Sequence, residues 1–254
     1  MLPIELIVGQ RRIEAAWWIP DEPRGAPIVL LHDGLGSLTR WRDFPDELAR
    51  VTKRRVLAYS RFGYGWSDPV NAPRDPRYMH DEAARVPEIL AAAGIERAVL
   101  FGHSDGGSIA IMAAADHPDT VAALILQAPH VFVEDLSVAS VEATTASFHT
   151  TDLRERLGRY HRDVDETFAG WSDVWRSQAF RSWNLVSYVP HTRCPMLLIQ
   201  GEDDEYGTLA QLDAIARQAR GPVQQLVLRA CGHSPHKDQR ERVLEAVAAF
   251  LTAT

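Results

Sequence analysis

The segment Gly102-His103-Ser104-Asp105-Gly106-Gly107 stands between an apolar run, Ala98-Val99-Leu100-Phe101, and the small-residue pattern that starts at Ser108-Ile109-Ala110. A strand must there turn at once into a helix. A Gly-x-Ser-x-Gly sequence in that context holds its central residue in a strained conformation, with the side chain pushed into the open. Glycines at 102 and 106 leave room for the neighbouring strand and helix, where a Cβ would obstruct. Ser104 is therefore the candidate nucleophile. A serine hydroxyl attacks poorly by itself, so the chain must also supply a base, a partner for that base and a site for an oxyanion.

Two later segments offer these groups. Leu197-Leu198-Ile199-Gln200 reads as a strand ending in Gly201-Glu202-Asp203-Asp204-Glu205, which brings carboxylates to the carboxyl edge of a sheet, where ligand-handling groups collect. Leu226-Val227-Leu228 runs toward Ala230-Cys231-Gly232-His233-Ser234 and puts a histidine on the following loop. The order serine, acid, histidine suits a strand–turn–helix nucleophile. His103 has its side chain directed away from that of Ser104, which suits packing or a structural hydrogen bond. His233-x-x-His236 has no convincingly spaced third ligand, so no metal is expected. Gly63-Tyr64-Gly65-Trp66-Ser67 lacks the Lys-Ser/Thr and helix start of a phosphate loop and reads as a tight structural turn.

The elements that must position these residues alternate along the chain. Residues 4–8 and 12–19 form a candidate antiparallel hairpin about Gly9-Gln10, and 28–31 is a continuous apolar run, as in a strand buried on both faces. A helix at 41–50, a strand at 56–59, a helix at 79–93 despite Pro87, and strands at 98–101 and 121–126 follow. This rhythm stops after His130. Residues 134–186 carry helical patterns, at 151–160 and 167–180, and no clear buried strand. It resumes with strands at 196–200 and 225–228 and helices at 209–219 and 240–251. The prediction is an α/β fold: one mainly parallel, eight-stranded sheet with helices on both faces. The expected core is 1–133 with 187–254, interrupted by a helical insertion at 134–186.

With 254 residues, 46% hydrophobic and 24% charged, the chain can bury a sizeable core. A net charge of −7 and the lack of a Lys/Arg cluster exclude a nucleic-acid surface, and the short basic stretch at 50–55 is expected to lie solvated between elements. Two distant cysteines, Cys194 and Cys231, suit a reducing compartment without a disulfide. No run reaches membrane-spanning length and no secretory signal is visible, so a cytoplasmic protein acting on a small molecule is expected.

From end to end the chain resembles the α/β-hydrolase superfamily. The matching pieces are His32-Asp33-Gly34-Leu35-Gly36, Gly63-Tyr64-Gly65-Trp66-Ser67, the elbow at 102–106, Gly201-Glu202-Asp203-Asp204, and Gly232-His233. The resemblance implies a serine hydrolase acting on a small ester or related acyl bond through an acyl-serine, without a cofactor. It also admits lactone, thioester or carbon–carbon bond hydrolysis, and a non-catalytic small-molecule receptor. A serine at 104 argues against dehalogenase and epoxide hydrolase chemistry, for which relatives carry aspartate. His233 would be the base. The family's spacing selects Asp204 as its partner, with Asp203 the neighbouring alternative and Glu134 or Asp135 further ones. The N–H of Asp105 would give one oxyanion donor, and Gly34 or Leu35 the other.

Asp33 departs from the family's usual His-Gly, and its side chain is expected to turn away, bonding loop amides or capping the next helix. Leu35, His130, Trp171 and Trp175 are candidate pocket residues under a helical cap. Phe168, Trp171, Trp175 and Trp183 would share one helical face, which either cements the insertion to the core or lines the pocket.

Overall fold

The computed structural model describes residues 1–70 and 73–253. In chain order its main elements are β1 (Leu2–Val8), β2 (Arg11–Trp18), β3 (Ile28–Leu31), α1 (Phe44–Thr52), β4 (Val56–Tyr59), α2 (Tyr78–Ala92), β5 (Ala98–His103), α3 (Asp105–Asp116) and β6 (Val121–Gln127). They continue with α4 (Asp135–Thr150), α5 (Leu153–Gly158), α6 (Val164–Arg176), β7 (Met196–Gly201), α7 (Ala210–Gln218), β8 (Val223–Leu228), α8 (Pro235–Asp238) and α9 (Arg240–Ala253). Among the described residues eight strands make one sheet, in the order β1-β2-β4-β3-β5-β6-β7-β8. The β1–β2 and β2–β4 pairings are antiparallel and all the others parallel. The hairpin turns at Gly9 and Gln10, with φ of 55° and 64°, the left-handed pair that matches strand twist.

Strand alternation explains the continuous apolar runs. Val29 and Leu31, Leu100, Leu124 and Leu126 face one side, where α2, α3 and α7 pack. Ile28 and Leu30, Val99 and Phe101, Ile125, Leu197 and Ile199 face the other, against α1 and α9. Each fully buried Leu, Ile or Phe contributes about 1.5–3 kcal/mol relative to exposure, and both layers draw on it. The expected mainly parallel sheet with helices on both faces is what the chain forms.

Several boundaries differ from expectation. The helix expected at 41–50 splits into a 3-10 turn, Leu38–Trp41, and α1, which begins at Phe44 with Pro45 in its first turn, where a missing N–H costs nothing. The patterns at 151–160 and 167–180 become α5 and α6. Helix α6 starts early because the Asp163 side chain accepts the Glu166 N–H at 2.9 Å, and it stops at Arg176. A separate 3-10 turn, Gln178–Ser182, then carries the chain to Trp183, which is off the α6 face. Helix α4 had no sequence counterpart. The basic stretch at 50–55 is not wholly solvated: Arg54 turns inward and donates to the carbonyls of Ala26 (2.9 Å) and Leu251 (3.2 Å).

Helices α4–α6 and two 3-10 turns fill the chain between β6 and β7, and an isolated bridge between Phe132 and Asn184 closes their base. Among the described residues no helix is long and apolar enough to cross a membrane. Cys194 and Cys231 are free thiols.

Candidate functional site

Ser104 has φ 55° and ψ −120°, the strained conformation expected of a strand–helix pivot. A Cβ on Gly102 would stand 2.2 Å from the Gly106 carbonyl oxygen, and one on Gly106 only 2.0 Å from that of Leu31. Backbone therefore meets backbone at both glycines, and only glycine fits. The Ser104 N–H is held by Gln127 O (2.9 Å), while its carbonyl accepts from Gly107 N (2.8 Å) and Ser108 N (3.2 Å). That carbonyl points into α3, so across the trans peptide the Asp105 N–H points the other way, out of the helix N-terminus.

β7 and β8 end on the same edge of the sheet as β5, which brings the three loops together. Ser104 Oγ donates to His233 Nε2 at 2.9 Å, and His233 Nδ1 donates to Asp204 Oδ1 at 2.8 Å. Asp204 Oδ1 also accepts from Tyr206 N (2.8 Å) and Gly207 N (3.2 Å), and Oδ2 from Gln200 Nε2 (3.1 Å). Burial by itself would raise the Asp204 pKa, but the His233 hydrogen bond, the His233 charge and the Tyr206 amide outweigh it and lower it. Burial would lower that of His233. The hydrogen bond to Asp204 and its charge, with Glu205 and Asp33 beyond, raise it above the ordinary value of 6.5.

The alternatives to Asp204 are engaged elsewhere. Asp203 is exposed. Glu134 binds the β7–α7 loop through Thr208 N (2.9 Å) and Thr208 Oγ1 (2.6 Å) and the first turn of α7 through Gln211 Nε2 (2.7 Å), and Asp135 meets Arg181 at 3.2 Å. His103 takes a structural bond, donating from Nε2 to the His233 carbonyl at 2.7 Å, and burial brings its pKa down to about 4. His236 Nδ1 accepts from Gln127 Nε2 at 2.7 Å within the core. Among the described residues no three His, Cys, Asp or Glu side chains are grouped to hold a metal ion.

The loop after β3 is held from behind. Arg61, fully buried, donates through its guanidinium to the carbonyls of His32 and Asp33 (3.1 Å to the latter), and the Asp33 carbonyl also accepts from Gly36 N (3.1 Å) and His32 Nδ1 (2.8 Å). His161, just past α5, accepts from Gly65 N and donates to the Leu35 carbonyl, both at 3.1 Å, tying this loop to the turn at 63–67. The Gly34 N–H, opposite the Asp33 carbonyl, faces away from these anchors. Gly34 itself must be glycine, because a Cβ would lie 2.2 Å from Trp171 Nε1.

Asp33 finds neither expected partner: its carboxylate caps no helix and bonds no loop amide among the described residues. Its Oδ1 lies over Gly36, where a Cβ would stand 2.2 Å away, and 4.0 Å from His103 Nδ1. Burial opposes its ionisation, but His103, Arg40 and Lys237 outweigh burial and hold its pKa far below the carboxylate range. The His103 charge counts only in acid, so the 4.0 Å approach of the two side chains is no ion pair at neutral pH.

A cavity of about 380 Å³ opens over Ser104 between this sheet edge and α4–α6. Leu35, His130, Trp171 and Trp175 all line it, with Asp105, Gly34 and His233. Burial lowers the His130 pKa to about 3, so its ring is neutral. Trp175 Nε1 donates to Tyr78 Oη (3.0 Å), which donates to Asp105 Oδ2 (2.6 Å), so one wall of the site is cross-linked to the elbow. The sequence reading missed Tyr78, Tyr206 and Arg61. Arg61 stands two residues before the 63–67 turn, but its partners are 28 and 29 residues away.

Comparison with known proteins agrees with this architecture. The mouse protein "Serine hydrolase BPHL" is 25% identical over 203 residues, covering 76% of this chain and 68% of that protein. The 2-hydroxymuconate semialdehyde hydrolase of Pseudomonas sp. strain CF600 is 36% identical over 110 residues, covering 42% of this chain and 37% of that one. A bacterial membrane phospholipase A structure superposes with a TM-score of 0.82 at 22% identity, covering 99% of this chain and 86% of that one, a likeness of fold. Residues 28–246 match the sequence profile of the "Alpha/beta hydrolase family", and with its eight-stranded, mostly parallel sheet this chain belongs to that family of hydrolases.

Proposed function

We propose that this protein is a serine hydrolase that cleaves a small-molecule ester, or a related acyl bond, through an acyl-serine intermediate. The observation that carries the reading is the unbroken chain from Ser104 Oγ to His233 Nε2 (2.9 Å) and from His233 Nδ1 to Asp204 Oδ1 (2.8 Å), opening on a 380 Å³ cavity. His233 takes the hydroxyl proton as Ser104 attacks the carbonyl carbon, then gives it to the leaving alcohol. Water, deprotonated by the same imidazole, then splits the acyl-serine, releasing the acid and restoring the hydroxyl. Asp204 holds the imidazole with Nδ1 protonated and offsets the charge of the imidazolium.

The oxyanion is received by the N–H groups of Asp105 and Gly34, each contributing about 3 kcal/mol of barrier lowering. Both face away from carbonyls that are fully engaged, and the first also lies at the positive end of α3. Helices α4–α6 act as the cap, excluding water over the carbonyl. Two free thiols support a reducing, cytoplasmic setting. The test is hydrolysis of p-nitrophenyl butyrate, with fluorophosphonate labelling, by the parent protein and Ser104→Ala. Turnover and labelling that vanish in the variant are expected. Equal rates in both, with no label, overturn the reading.

A further inference from the structure

Beside the Ser104 cavity lies a second one of about 210 Å³, lined by Arg40, Trp41, Arg42, Tyr160, Lys237 and Arg240, with no acidic side chain on its wall. Arg40 and Lys237 line both cavities, so the two share a wall. Arg240 is neutralised by Asp43 (2.9 Å) and Glu47 (2.7 Å). The other three cations have no ion pair among the described residues. Arg40 stands 5.5 Å over the Tyr160 ring, and its Nε is buried without a partner. Loss of solvent lowers the Lys237 pKa; Asp33 and Asp238 act on it as opposite charges, and Arg40 and Arg42 as like charges. The recess keeps an excess of positive charge on its wall, which an anion would offset.

The backbone supplies a second, independent mark. Arg42 has φ 54° and ψ −123°, nearly the conformation of Ser104, in a region that strains a non-glycine residue. The chain leaves the 3-10 turn through this strained residue and places the third cation at the recess. On the wall of the Ser104 cavity Asp33 and Glu205 stand beside Arg40, Arg156 and Lys237, whereas every charged residue on the wall of the recess is a cation.

We infer that the recess formed by Arg40, Arg42 and Lys237 is an anion subsite, so that the substrate is an ester or related acyl compound carrying a carboxylate or phosphate beyond the bond cleaved. This rests on the serine-hydrolase reading for the identity of the bond, but the subsite can be measured without turnover. Guanidinium and ammonium donors recognise either anion by charge-assisted hydrogen bonds.

The probe is mono-p-nitrophenyl glutarate against its uncharged methyl ester, titrated calorimetrically into Ser104→Ala protein. The anionic ester is expected to bind about tenfold tighter, by a margin that shrinks with added salt. In the Arg42→Gln, Lys237→Gln double variant the margin disappears. Both side chains are exposed, and either single variant, expected to lose part of the margin, repeats the test if the double one is unstable. Displacement of the probe by free glutarate assigns a carboxylate and displacement by inorganic phosphate assigns a phosphate. Equal affinity of the two esters, a margin unchanged in the variants, or displacement by neither anion overturns the subsite. Parent protein that hydrolyses p-nitrophenyl butyrate while binding both esters equally loses only the subsite. An anion preference in Ser104→Ala without Ser104-dependent turnover in the parent removes only the serine-hydrolase reading.

Discussion

Replacing Asp204 by Asn separates two contributions of the carboxylate to the base. Oδ1 accepts three N–H groups, from His233 Nδ1 (2.8 Å), Tyr206 (2.8 Å) and Gly207 (3.2 Å), whereas Oδ2 accepts one, from Gln200 Nε2 (3.1 Å). An asparagine amide must face donors on both sides, and it does least harm with its NH₂ toward Gln200. His233 then keeps its Nδ1 proton and its orientation, and what disappears is the negative charge. With roughly 4 Å between charge centres and an effective dielectric near 20, the imidazolium formed at the transition state loses about 4 kcal/mol of attraction. At about 1.4 kcal/mol per factor of ten, this gives a fall of about 10³ in kcat/KM. A wrong tautomer as well would bring the loss to about 10⁴. Asp203→Asn, on an exposed side chain, should stay within about twofold of the parent. The assay is kcat/KM for p-nitrophenyl butyrate, with a thermal melt to establish folding. A folded Asp204→Asn protein within tenfold of the parent, or a greater loss in Asp203→Asn, refutes the argument.

Two further outcomes follow from the same geometry. His233 is a base only when neutral and its pKa is raised, so kcat/KM should fall with decreasing pH through a midpoint above 6.5; Asp204→Asn should move that midpoint down, and a profile flat to pH 5 would contradict the assignment. Gly106→Ala puts a Cβ 2.0 Å from the Leu31 carbonyl oxygen, with no flexible side chain to give way. Overpacking of this kind costs about 3 kcal/mol or more, and an unchanged urea midpoint would mean that α3 and β3 do not meet as described.

The parts legible in sequence were those that local chain geometry dictates. Ser104 was marked by an apolar strand, two glycines and a small-residue helix, and His233 by a glycine after a short strand, because those constraints act over a few residues. The acid was less legible, since Asp203, Asp204, Glu134 and Asp135 differ only in where their loops send them. Thr208 and Gln211 claim Glu134, and water claims Asp203. Helix α4 carries Ser, Thr and Ala on most of its surface and buries only Ser137, Val138, Val141 and Phe148, so no strong period announces it. The supports of the oxyanion loop were out of reach altogether. Arg61 and His161 act across separations of 28 to 126 residues.

The same distinction governs the chemistry of the histidines. Around the elbow stand His32, His103, His130, His161, His233 and His236, which pattern alone does not rank by basicity. Burial pushes five of them down, His103 and His161 to about 4 and His130 to about 3; His32, His103, His161 and His236 serve as neutral hydrogen-bonding struts, and His130 packs against the Trp175 ring. His233 is buried in the same layer and moves the other way, because it alone of the six donates a hydrogen bond to a carboxylate. A site that pushes like groups apart in this manner assigns their roles. What makes His233 the base is therefore less its place after β8 than the turn at 204–207 that aims one aspartate at it.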